Sequence, residues 1–259
     1  MSLLAAERID VRFGDVHAVR GVSLEIPDGP YGIGLIGESG SGKSTIARAL
    51  LGLTPVDGGT VTFGGREVRR LRGAELKAFR RSVQLVMQDG VEALDPRMRV
   101  GASVAEGLTV HGLVPRAERA RRVAELLTEV GLEPALADRY PHELSGGQRP
   151  RATIARALAV EPRALVLDEP TSALDVTVQA HILDLIRRLR EERSLSYLLI
   201  SHNLAIVDQL CERCLVLHDG TVVEDGATAQ VLDHPRHPYT QQLRAAVPEL
   251  TAPRRDAVP

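Results

Sequence analysis

The sequence is poor in several things, and each shortage excludes something. It has no tryptophan, few other aromatic residues and only two cysteines, Cys211 and Cys214, in 259 residues. Two cysteines cannot staple a chain of this length, so a disulfide scaffold is excluded and a reducing compartment is expected. No apolar run approaches the roughly 18–20 residues of a membrane helix. The start, Met1 to Arg8, lacks a basic region followed by a long apolar stretch, so no secretory leader is expected there. A basic excess is missing too: 32 Lys and Arg against 34 Asp and Glu leave a net charge of -2. That gives neither a nucleic-acid footprint nor a polybasic membrane anchor. Lysine itself is nearly absent, only Lys43 and Lys77, which makes the place of each informative.

What remains is a globular composition, 44% hydrophobic and 25% charged, in a chain long enough for one large domain or two small ones. Ile9–Phe13 and Val22–Ile26 alternate with period two and predict strands, with Gly14-Asp15 as a turn. Tyr31–Ile36 is an apolar strand running into a glycine-rich loop and then a helix. Ala164–Asp168 and Leu195–Ile200 are continuously apolar and suit strands covered on both faces. Val123, Leu126, Leu127 and Val130 share a helix face that Gly131 ends, and Asp175 is placed to cap the helix striped by Val178, Ile182, Leu185 and Leu189. Asp219-Gly220 between short apolar runs is a hairpin signal. Alternating buried strands and helices predict an α/β fold with a mostly parallel sheet.

Gly37-Glu38-Ser39-Gly40-Ser41-Gly42-Lys43-Ser44 fits G-x-x-x-x-G-K-S/T, and Thr45 follows it into the helix. Such a loop curls backbone N–H groups around phosphate oxygens at a helix N-terminus. Lys43 would bridge the β- and γ-phosphates of ATP, and the Ser44 hydroxyl would ligate Mg²⁺. The competing reading is an ordinary Gly/Ser loop with a surface lysine. An overlapping Gly32-x-Gly34-x-x-Gly37 imitates a dinucleotide fingerprint, but its glycines fall in the strand rather than in the turn that opens the helix. Asp168 and Glu169 end an apolar strand. There Asp168 would hold Mg²⁺ and Glu169 would orient or deprotonate the attacking water; taken alone, both are equally read as surface acids.

Leu144-Ser145-Gly146-Gly147-Gln148 supplies a second tip of exposed N–H groups, which Ser145 is placed to cap. With this segment the chain resembles the ABC-type ATPases, the nucleotide-binding subunits of ATP-binding-cassette transporters, over roughly residues 5–245. The resemblance implies a P-loop NTPase (RecA-like) core with an N-terminal antiparallel β subdomain and an inserted α-helical subdomain at about 88–155. It implies an ATPase domain over 1–235 and a tail over 236–259. It further implies that Ser145, Gly146, Gly147 and Gln148 close over the γ-phosphate held by a partner subunit. Phe13 resembles the aromatic residue that stacks on adenine, against a core strand phenylalanine. Gln88 resembles the glutamine that senses Mg²⁺ and water, against a solvated loop residue. Ser172-Ala173-Leu174-Asp175 resembles the interface loop, against a plain helix cap. His202 resembles the switch histidine that contacts the γ-phosphate, against a structural histidine.

Two departures stand out. Pro150 stands where the family usually has Gln, which predicts a late or bent helix. The run from Asp89 to Arg97 is also unusual for the family.

Tyr140-Pro141-His142-Glu143 and His234-Pro235-Arg236-His237-Pro238-Tyr239 resemble the dipeptide, oligopeptide and nickel importer branch. That implies a peripheral ATPase on the cytoplasmic face of the membrane. Its partners would be a second cassette, integral membrane permease subunits and, indirectly, a substrate-binding protein, with no nucleic acid. The alternative is an accessory ATPase of a non-transport complex, such as a phosphonate-degrading system. Cys211-x-x-Cys214 has no second pair, and both are read as small core residues.

Overall fold

The computed structural model describes residues 2–87, 94–171 and 174–246. Its centre is a six-stranded sheet in the order β10-β9-β3-β8-β7-β6. The strands are β3 (Gly32–Ile36), β6 (Val83–Val86), β7 (Ala164–Asp168), β8 (Ser196–Ser201), β9 (Arg213–His218) and β10 (Thr221–Ala227). All neighbours pair in parallel except β10, which returns antiparallel on β9. The β9–β10 turn is Asp219-Gly220 with both φ values positive, 46° and 77°. This is what a tight two-residue hairpin loop requires. A second, antiparallel sheet has the order β2-β1-β4-β5, with β1 (Ser2–Phe13), β2 (Val16–Pro27), β4 (Gly58–Phe63) and β5 (Arg66–Glu67). Its first strand begins well before the alternating run: Leu3, Leu4, Ala5 and Ala6 are buried, a stretch with no period-two pattern to betray it.

Two cores flank the parallel sheet, and the pleat decides which residue serves which. Val166, Leu198 and Ile200 face the antiparallel sheet, α1 (Lys43–Leu50) and Phe79 of α2 (Gly73–Ser82). Their neighbours Leu165, Leu167, Tyr197 and Leu199 face the other way. There they meet α3 (Val100–His111), α4 (Arg119–Glu129), α5 (Gln148–Leu158), α6 (Val176–Arg193) and α7 (Leu204–Leu210). Two short helices, α8 (Thr228–Asp233) and α9 (Pro238–Ala245), complete the described chain. Gly32 and Gly34 serve packing: a Cβ on Gly34 would lie 2.3 Å from Val207 of α7, and one on Gly32 2.7 Å from the Tyr197 ring. The apparent dinucleotide fingerprint therefore records close packing on β3.

Pro150 lies inside the first turn of its helix rather than beyond it. α5 starts at Gln148 and Pro150 is its third residue. A first-turn N–H has no partner inside the helix, so its loss costs no helical bond. The Thr153 hydroxyl instead donates to the Pro150 carbonyl at 2.8 Å. Cys211 and Cys214 are free and buried. Burial raises the Cys211 thiol pKa well above its ordinary value and pushes Cys214 up to about 12. Neither has thiolate character, as the reading of small core residues requires. Among the described residues, no helix is long and apolar enough to cross a membrane.

Candidate functional site

Strand register gathers the site. Ile36 pairs with Ser201, and Asp168 with Ile200, so β3, β7 and β8 end side by side. Their following residues emerge at one carboxyl edge, where open parallel sheets bind ligands. That edge receives the 37–42 loop, Glu169 and His202.

The loop is shaped by its glycines and braced from outside. Gly42 has φ +107° and precedes α1; a Cβ there would lie 2.4 Å from the Ala18 carbonyl. A Cβ on Gly37 would lie 2.3 Å from the Leu217 carbonyl. The Ser41 N–H donates to the Glu38 carbonyl at 3.2 Å, and Gly220 N–H donates to the Ser41 carbonyl at 3.0 Å. Among the described residues, the N–H groups of Ser39, Gly40 and Gly42 meet no acceptor. Free donors curled at a helix start form a nest for anionic oxygen.

Lys43 is only 5% exposed. Its Nζ donates to the Gly37 carbonyl at 2.7 Å and the Glu38 carbonyl at 2.6 Å. Burial lowers its pKa, and the nearby carboxylates of Glu169, Asp168 and Glu38 pull the other way. The ordinary surface lysine reading is therefore excluded. The Ser44 hydroxyl donates to Asp168 Oδ1 at 3.2 Å. Burial raises the Asp168 pKa, against the bond from Ser44. A hydroxyl and a half-buried carboxylate converging beside the nest are hard oxygen donors that fit Mg²⁺. Thr45 follows in α1, half-buried.

Glu169 has φ +47°. A non-glycine residue there is strained, which requires support from its surroundings. Its N–H donates to the Ile200 carbonyl at 3.0 Å. Its side chain, 17% exposed, lies with Oε1 3.2 Å from His202 Nδ1. His202 is 64% exposed, not the buried residue of a structural histidine. Phe13 ends β1 with 55% of its surface exposed, so the core phenylalanine reading fails. Gln88, Ser172 and Ala173 lie outside the described residues.

The second half-site lies elsewhere. Ser145, Gly147 and Gln148 line a cleft with Gly131, Arg151, Val178 and His181. Glu169 and His202 line a different one with Thr171, Ser201 and Asn203. Ser145 and Gln148 bond reciprocally across the turn that leads into α5: the Gln148 N–H donates to Ser145 Oγ at 3.3 Å, and the Ser145 N–H to Gln148 Oε1 at 2.9 Å. Gly147 leaves room for α6, since its Cβ would lie 2.7 Å from Val178; Gly146 meets only Leu174, at 4.0 Å. Asp175 accepts from the Val178 N–H at 2.9 Å and caps α6.

A family described as ABC transporter matches residues 19–172. The chain belongs to the ABC transporter family. A second family, the oligopeptide/dipeptide transporter C-terminal region, matches residues 223–259 of the cassette. Among similar proteins, the glutathione import ATP-binding protein GsiA of Pectobacterium atrosepticum is 48% identical over 240 residues, covering 93% of this chain and 38% of that one. GsiA of Escherichia coli K12 is 47% identical, covering 90% and 37%. The cassette thus spans less than half the length of these relatives. Among solved structures, cbiO1 of Clostridium perfringens, part of the ABC transporter complex cbiONQ, superposes with TM-score 0.79 at 29% identity, covering 90% of this chain and 91% of that one. A dimeric post-hydrolysis state of the cassette MJ0796 with ADP and Pi has TM-score 0.77 at 29% identity, covering 87% and 98%. The architecture is therefore that of an ABC ATPase, a family that uses ATP and Mg²⁺.

One contact at the site was not foreseen from the sequence: the hydroxyl of Tyr239, near the C-terminus, meets the phosphate loop. The His-Pro-Tyr segment had marked only a lineage, because a contact across 201 positions leaves no local signal.

Proposed function

We propose that this cassette is the ATP-hydrolysing subunit of an importer whose cargo is peptide. The observation that carries the reading is the convergence of the buried Lys43, the Ser44–Asp168 pair and the Glu169–His202 pair on one sheet edge. In this reading the loop N–H groups and Lys43 grip the β- and γ-phosphates, while Phe13 stacks on the adenine. Ser44 and Asp168 would hold Mg²⁺, with Gln88 as a further ligand, and the bound ion would supply neutralisation of phosphate charge. Water attacks the γ-phosphorus, its proton passes to Glu169, and the bond to the β-phosphate oxygen breaks. His202 holds the Glu169 carboxylate and reaches the γ-phosphate. Ser145, Gly146, Gly147 and Gln148 of a second cassette close over the same phosphate, with Asp175 beside that interface.

Peptide cargo is supported by the glutathione-import relatives and by the match to the oligopeptide/dipeptide transporter C-terminal region; nickel has no comparable support. Domain limits of 1–235 and 236–259, with a helical part near 88–155, belong to this proposal, as does a peripheral place at the inner membrane face. Permease subunits would meet the helical part and a groove of about 870 Å³, lined by Leu53, Val56, Leu71 and Leu76 together with Arg69 and Arg72. A periplasmic or surface substrate-binding protein would deliver the cargo. The test is expression together with candidate membrane-spanning subunits. Co-purification and ATP-dependent uptake of a labelled peptide into vesicles are expected. Association with soluble partners only would favour the accessory ATPase of a non-transport complex.

A further inference from the structure

The C-terminal helix reaches back to the phosphate loop. The N–H groups of Arg236 and His237 donate to the Glu224 carboxylate on β10, at 2.9 and 3.1 Å. His237 caps α9 by accepting from the Tyr239 N–H at 3.2 Å, and Pro238 follows as the first helical residue with its φ preset. Tyr239 is thereby held in a fixed place, 6% exposed. Its ring stacks on His218, the last residue of β9, with centroids 3.9 Å apart. Its hydroxyl accepts from the Glu38 N–H at 3.1 Å.

That N–H belongs to the Gly37–Glu38 peptide, and the carbonyl of the same peptide accepts from Lys43 Nζ at 2.7 Å. One amide is therefore gripped at both ends, by the tail's phenol and by the loop's lysine. Hydrogen bonds through a shared amide polarise one another and fix the plane between them. Rotation of that plane would swing the carbonyl away from the ammonium.

We infer that Tyr239 is a positioning residue for ATP binding: its hydroxyl fixes the Gly37–Glu38 peptide and so sets where Lys43 is held before nucleotide arrives. The inference rests on the ATP reading of the loop. It gives the C-terminal segment a role at the nucleotide site as well as in lineage. Tyr239 meets the loop at the Glu38 N–H and acts only through that peptide. Burial raises its phenol pKa, so the hydroxyl stays neutral and available as an acceptor.

Tyr239→Phe in the full chain removes the acceptor and keeps the ring on His218. A freer loop must be ordered by the nucleotide, so Kd and KM for Mg·ATP should rise about three- to tenfold, the scale of one neutral hydrogen bond. Saturated kcat should stay within about twofold, and the nucleotide-free thermal midpoint should hold, because packing is retained. Tyr239→Ala, which also loses the stack, should weaken ATP at least as much and lower the midpoint. Two outcomes in Tyr239→Phe would overturn the inference while the parent still binds ATP: Kd within about twofold of the parent, or kcat falling at unchanged KM. A parent chain that binds no ATP would instead overturn the nucleotide reading beneath it.

Discussion

Replacing Glu169 by Gln separates chemistry from binding at this site. The amide has the shape of the carboxylate, so its strained backbone at φ +47° and its half-enclosed setting are unchanged. The amide oxygen can still accept from His202 Nδ1, 3.2 Å away in the parent. Lys43 is held chiefly by the Gly37 and Glu38 carbonyls and keeps both bonds. Ground-state ATP affinity should therefore stay within a few-fold. What disappears is a group able to take the proton of the attacking water. A positioned general base contributes about 10²–10⁴ in rate. At about 1.4 kcal/mol per tenfold, that is roughly 3–6 kcal/mol of barrier. Single-turnover phosphate release with excess cassette, beside an equilibrium titration with ATP, measures the two quantities independently. Solution scattering of the ATP-loaded variant should show paired cassettes, because the nucleotide persists. Phosphate release within tenfold of the parent would refute the assignment of Glu169 as the base.

The other predictions concern the grip, the ion site and the outer surface. Lys43→Ala removes the buried ammonium from the nest and should raise the ATP Kd by about 10- to 100-fold, as loss of charge-assisted bonds does; unchanged titration would sink the phosphate-loop assignment. Asp168→Asn should abolish Mg²⁺-dependent turnover yet leave the nucleotide-free thermal midpoint at neutral pH equal to or above that of the parent. The sign follows from the raised Asp168 pKa, which burial causes: the folded chain holds that proton more tightly than the unfolded one. The stability it contributes is present below the ordinary carboxylate range and is lost as pH rises through the folded value. Ionised Asp168 is thus a net cost at neutral pH that Asn relieves, and a clearly lower midpoint would contradict this account. Leu53→Asp, in the groove beside α1, should reduce co-purification with the membrane subunits while leaving ATP Kd unchanged; equal recovery of the complex would remove that groove from the proposed interface.

The local chemistry was legible from short stretches of chain because each signal is local. The phosphate loop, the acid-ended strand Ala164–Asp168, the Asp219-Gly220 hairpin and the cap at Asp175 all write their geometry into neighbouring residues. Pro150 was ambiguous because a proline's effect depends on its distance from the helix start. The sequence pattern left that start uncertain, and the structure puts it at Gln148. Phe13 and His202 could not be told from core residues by type, and exposure separated them. Gly147 was read as a phosphate donor, whereas the fold also needs it bare so that α6 can pack against it.

By itself the sequence determined which groups this protein offers to the proposed triphosphate site, since residue type and short-range spacing fix the available donors, acids and caps. Only the tertiary structure decided which of them share a site. Parallel register brings Ser44 to Asp168 and Glu169 to His202 across gaps of more than thirty positions. It also keeps the Ser145–Gln148 tip in a separate cleft and folds Tyr239 onto the loop. Such proximity is set by strand order and packing, which no local stretch of chain encodes.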